Sequence, residues 1–161
     1  MKYLEDVKYM DIGHNEFLSD LSFIGYMPKL EVLIASESAV KELTGFDNCK
    51  NLTWLELAYC YSLENIDALA GCDGLKFLNI SYSKVTSLMP LDGLKLERFV
   101  YLKPKVSTDE QNTFLAHISE HSRCTEFIRR SSIADRVVLH LCNASNYVKP
   151  VSTFSELSHI I

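Results

Sequence analysis

Residues 52–74 read L-T-W-L-E-L-A-Y-C-Y-S-L-E-N-I-D-A-L-A-G-C-D-G. In the first half Leu52, Leu55 and Leu57 follow L-x-x-L-x-L, with Cys60 three further on. That is the pattern of a short strand whose alternate residues turn inward, followed by a bend. In the second half Leu63, Ile66, Leu69 and Cys72 recur every three residues. A period of three suits tight 3₁₀-like turns. The stretch therefore reads as one coil of a solenoid.

Sliding the same template along the chain gives strand starts at Val7, Leu30, Leu52, Leu75 and Leu96, with periods of 23, 22, 23 and 21 residues. The next inward column is Met10, Leu33, Leu55, Leu78 and Phe99, and the third is Ile12, Ala35, Leu57, Ile80 and Tyr101. Past the bend stand Leu18, Val40, Leu63, Val85 and Val106, then Leu21, Leu43, Ile66 and Leu88. Ile24, Phe46, Leu69 and Leu91 follow, and the last column is Met27, Cys49, Cys72 and Leu94. Apolar residues fill every column, which is the signature of stacked repeats sharing one core.

These columns resemble bacterial leucine-rich repeats of roughly 22 residues, the class shared by internalins and by the leucine-rich regulatory subunit of protein phosphatase 1. The resemblance spans residues 1–127. It implies an α/β fold: a right-handed solenoid with a parallel β-sheet on its concave side and short helical or 3₁₀ segments on its convex side. It also implies binding of a protein on the concave face. One column departs from the family pattern. Where the family carries Asn, this chain has Asn15, Ser38, Cys60, Ser83 and Pro104. The first four can donate to loop carbonyls but Pro104 cannot, so the polar ladder is expected to end at the fifth strand.

A chain of 161 residues, 47% apolar, supports one domain around one continuous core. The net charge of −5, from 21 acidic and 16 basic residues, argues against nucleic-acid or anionic-membrane binding, which needs a basic face. There is no long apolar run and no secretory signal in M-K-Y-L-E-D. The five cysteines are odd in number, and the register places Cys49 and Cys72 in the core and Cys60 in the polar column. Reduced structural thiols and a cytoplasmic setting for the chain as written are expected.

Met1 and Leu4 fall where a preceding repeat would place its apolar residues, so the first repeat reads as truncated. This is expected of a fragment of a longer array, whose parent could be a surface or secreted protein, or of an N-terminal edge covered by a partner or a second copy. Residues 1–106 read as repeats. Residues 107–128 read as a cap: a helix to about His121, with Thr108 as N-cap and Gln111 three later, then a short strand from Cys124 to Ile128. Phe114, Leu115 and Ile118 share the helix face turned to the core. Residues 129–161 show no register, and their apolar run from Val137 to Cys142 fits strand and helix equally.

Residues between the inward leucines face the other side of the sheet. Their first column is Tyr9, Val32, Trp54, Phe77 and Arg98, and their second is Asp11, Ile34, Glu56, Asn79 and Val100. Near the strand ends comes the column His14, Glu37, Tyr59, Tyr82 and Lys103. Tyr9, Asp11, Trp54, Glu56, Tyr59, Phe77, Tyr82 and Arg98 are the candidate partner-binding residues, with Trp54, Phe77, Tyr59 and Tyr82 expected to form one exposed aromatic patch. Trp, Tyr and Arg carry interface energy more often than other types. The alternative is cross-strand stacking that only stabilises the sheet, or cover from the C-terminal tail.

The helix spacing of His117 and His121, with Cys124 beyond, raises a metal-dependent hydrolase at the cap as a rival, but no fourth ligand and no H-E-x-x-H accompany them. His14 and Cys60 stand two strands apart, and Asp11 and Glu56 about 9–10 Å apart across Ile34, so neither pair reads as catalytic. The sequence therefore reads as a non-catalytic protein-interaction module needing no cofactor or metal. A recognition part of a larger enzyme is the runner-up.

Overall fold

Each repeat places only three residues in its strand: β1 Tyr9–Asp11, β2 Val32–Ile34, β3 Trp54–Glu56 and β4 Phe77–Asn79. The fifth strand, β5 Arg98–Leu102, is longer. This computed structural model describes residues 4–102, 105–121, 126–130, 136–140 and 149–150. The strands pair in parallel, in chain order, with Tyr9, Val32, Trp54, Phe77 and Arg98 in one register and Asp11, Ile34, Glu56, Asn79 and Val100 in another. These are the two outward columns of the sequence.

Parallel hydrogen bonding runs on past the strands, to His14 N–Ser36 O at 2.8 Å, Glu37 N–Ala58 O at 2.9 Å, Tyr59 N–Ser81 O at 2.8 Å and Tyr82 N–Leu102 O at 2.9 Å. There the sheet stops, because His14, Glu37, Tyr59 and Tyr82 all have φ between 55° and 61°. A left-handed residue turns the chain sharply out of the extended conformation.

On the opposite side lie 3₁₀ helices at Ser22–Tyr26, Phe46–Asn48, Asp67–Gly71 and Met89–Leu91. The period of three read from the sequence is a chain of hydrogen bonds. In the third repeat Leu69 N donates to Ile66 O, Cys72 N to Leu69 O and Leu75 N to Cys72 O, each at 2.9 Å. The residues that make these bonds are also the core, at 0 or 1% exposure. One spacing thus satisfies the backbone and buries the side chains together.

Burial pushes the thiols of Cys49 and Cys72 up to about 11. In the polar column Ser38 Oγ donates to Ala35 O at 2.7 Å, and Cys60 Sγ donates to the same carbonyl from the next repeat at 3.2 Å. Among the described residues no buried side-chain nitrogen or oxygen lacks a partner. Pro104 lies outside the described residues.

The C-terminal helix, α1, runs Thr108–His121. Its cap is Ser107, not Thr108: Ser107 Oγ accepts from Glu110 N at 3.2 Å and Ser107 O from Gln111 N at 3.0 Å. Gln111 is buried, and its Nε2 donates to Val106 O. The Glu110 carboxylate is drawn elsewhere, its Oε1 accepting from Ser87 Oγ and Leu88 N at 2.9 Å each. That ties the helix to the fourth repeat. Phe114 meets Phe99 edge-on at 5.7 Å, and the Tyr101 hydroxyl donates to Val85 O, joining strand and loop.

The sheet continues beyond β5. A sixth strand, β6 Glu126–Arg130, pairs in parallel with β5, and β7 Arg136–His140 and β8 Lys149–Pro150 follow antiparallel. The closing strand thus lies two residues later than the sequence suggests, and the ambiguous apolar run after it contributes to a strand. Antiparallel pairing needs no crossover, so the last strands can return without the convex segment each repeat uses.

Candidate functional site

The concave face carries two aromatic stacks, one on the sheet and one at its edge. On the sheet, Trp54 lies on Phe77 with ring centroids 3.7 Å apart and planes at 12°. The Arg98 guanidinium carbon sits 5.9 Å from the Phe77 centroid on the next strand. Parallel register sets these side chains one strand spacing apart, so flat groups in one column meet face to face. Phe77 is only 8% exposed while Trp54 keeps 40%. Phe77 is therefore a buried support rather than the exposed anchor expected from its column. Its neighbours cover it.

Tyr9 is 59% exposed but stands two strands from Trp54, with Val32 between them. Asp11 Oδ1 accepts from Gly13 N at 3.1 Å, which shapes the local turn. Glu56 is half-buried at the centre of the second column, where Oε1 accepts from Asn79 Nδ2 at 2.7 Å and lies 3.5 Å from Ser36 Oγ. Burial raises its pKa above the usual carboxylate value, against the lowering effect of the Ala58 N–H and these side chains.

The second stack belongs to the left-handed column. Tyr59 and Tyr82 lie 4.5 Å apart at 12°, and Tyr61 meets Tyr59 at 6.1 Å and 69°. In the same column His14 Nδ1 is 3.1 Å from Glu37 Oε2. The column Ser36, Ala58 and Ser81 separates this edge from the Trp54 stack along the strands, so the expected single patch is two. Beside the edge is a surface groove of about 560 Å³, whose lining includes Glu37, Ala39 and Tyr61. The sequence reading missed it.

Among the described residues no three His, Cys, Asp or Glu side chains gather to hold a metal ion. The side chains of His117 and His121, and Cys124, lie outside the described residues. No helix among the described residues is long and apolar enough to cross a membrane.

No protein-family model and no curated protein matches the sequence. Solved structures do match. An internalin from Listeria monocytogenes aligns at TM-score 0.65 with 16% identity, over 77% of this chain and 42% of that one. A leucine-rich-repeat protein from Leptospira interrogans aligns at 0.69 with 22% identity, over 77% and 31%. A second Listeria internalin aligns at 0.51 with 20% identity, over 78% and 62%. The chain spans less than two thirds of each. The likeness is one of fold, and with the registered columns, parallel sheet and 3₁₀ convex segments it shows this chain to be a leucine-rich-repeat solenoid.

Proposed function

We propose that the chain is a protein-interaction module that engages a partner protein on its concave sheet, without catalysis of its own. The observation that carries this is Trp54, held flat against Phe77 yet two-fifths exposed. An aromatic side chain already fixed in place loses little rotamer entropy on contact, so most of its burial counts toward affinity. The three-residue strands β2 to β4 are bonded on both sides and add rigidity. Asp11 and Glu56 toward one end and Arg98 toward the other would orient a partner by charge.

The test pairs wild-type and Trp54→Ala chains as baits, the variant first shown to keep the wild-type unfolding midpoint. A protein retained by the wild type is identified, purified and titrated against both. Loss of Trp54 is expected to weaken it about 30-fold, equivalent to about 2 kcal/mol. Equal affinity for both chains overturns the concave-face reading.

A further inference from the structure

We propose that the groove over Ala39 is a second, separate site that binds a cationic side chain, lysine or arginine, of a peptide or protein. It lies where the loops differ in length. Two residues separate Asn15 from Leu18 and Cys60 from Leu63, whereas Ala39 alone separates Ser38 from Val40. The second repeat's loop is thus one residue shorter than the loops on either side, and the groove of about 560 Å³ lies along it. Glu37, Ser38 and Ala39 line it from the second repeat, His14 and Glu16 from the first, and Tyr59 and Tyr61 from the third.

Its chemistry favours a cation. Tyr59 and Tyr61 both line the groove, in edge-to-face contact at 69°, and Tyr61 is 61% exposed; exposed aromatic rings attract ammonium and guanidinium ions. Glu16 and Glu37 add two carboxylates, and Glu37 keeps about half of its side chain exposed while Oε2 contacts His14. No lysine or arginine lines the groove. An anion would face two carboxylates, and a neutral group would draw on the charge of neither. Tyr59 is held by its stack on Tyr82, so the wall is in place before a ligand arrives.

The site does not depend on the concave-face reading, since Trp54 lies in β3 and not in the groove. Its test is an amide NMR titration of the whole chain at low ionic strength with three probes: N-acetyl-lysine methylamide, its arginine counterpart, and N-acetyl-norleucine methylamide as the uncharged isostere of lysine. One or both cations should give saturable shifts at residues 37–39 and 59–62, and the better of the two names the side chain. Norleucine should not. Tyr61→Ser and Glu37→Gln, both at exposed positions, should each weaken binding about two- to five-fold, the equivalent of about 0.5–1 kcal/mol. Trp54→Ala should leave it unchanged. The proposal is overturned by norleucine binding as well as the cations, by no saturable shift with either cation, by both groove variants binding like wild type, or by shifts that vanish with Trp54.

Discussion

Gly45 and Gly93 share one backbone conformation, φ 86° in both, and have opposite surroundings. A Cβ on Gly45 would lie 2.8 Å from Ser22 O and 3.0 Å from Gly25 N, both backbone atoms of the preceding repeat's 3₁₀ segment. A Cβ on Gly93 would meet nothing within 4 Å. Alanine at each position therefore separates the conformational cost of a left-handed residue from the steric cost of stacking repeats. The conformational part is about 1–2 kcal/mol, offset by about 0.4–1 kcal/mol from the restricted unfolded chain. Gly93→Ala should lose about 1 kcal/mol. Gly45→Ala carries the same term plus about 1–3 kcal/mol for forcing packed backbone apart, or about 2–4 kcal/mol altogether. Urea unfolding measures both, read as midpoint shifts at an unchanged slope. Equal losses for the two variants would refute the claim that close approach of the convex segments, rather than φ alone, demands glycine at 45.

Glu110→Ala should destabilise the chain by about 1.5–3 kcal/mol in urea unfolding, because it strips a charged acceptor from Leu88 N and Ser87 Oγ; Glu110→Gln, which keeps an acceptor, should lose less than half as much, and equal losses would deny the tether. For Glu56 the folded pKa is raised above the ordinary 4.5, so its contribution to stability is fully present below that value and is lost as pH rises through the folded pKa. Glu56→Gln, which keeps an oxygen for Asn79, should therefore gain stability relative to wild type between about pH 4 and about pH 7; a gap that stays constant or narrows contradicts this. With thiols pushed up to about 11, Cys49 and Cys72 are roughly a thousandth ionised at about pH 8, a hundredfold less than a thiol at 9.0. Mass-resolved iodoacetamide labelling should find both protected until urea unfolds the chain, and native labelling at the unfolded rate would refute their burial.

The register was legible because burial in a stacked array recurs at fixed intervals, and each column had only to be apolar. Alternation told which side of the sheet Phe77 faces, but not that Trp54 and Arg98 would cover it, since exposure depends on neighbours in the other strands. Ser107 and Thr108 are both good cap residues, and local sequence does not choose between them. The choice falls to Ser107 together with a tertiary contact, Glu110 reaching the fourth repeat instead of closing a capping box. Likewise V-V-L-H-L-C has no period that separates strand from helix, and pairing of Arg136–His140 with β6 supplies what periodicity lacks.

The left-handed column links fold to site. Gly45 and Gly93 show that this chain uses glycine at positive φ on its convex side, yet at the ends of β1 to β4 it places His14, Glu37, Tyr59 and Tyr82 at φ 55° to 61°. Each non-glycine residue there costs about 1–2 kcal/mol. A stacked aromatic pair returns about 0.5–1.5 kcal/mol, and the exposed His14–Glu37 pair little. Each of the four also donates its N–H to a carbonyl of the next repeat, so the turn belongs to the bonding of the sheet itself. The same turn recurs in all four repeats, and it sets which side chains stand at the edge of the sheet. Three of the four, His14, Glu37 and Tyr59, line the groove that lies along the short second loop, so the turn that ends each strand also places the groove's side chains.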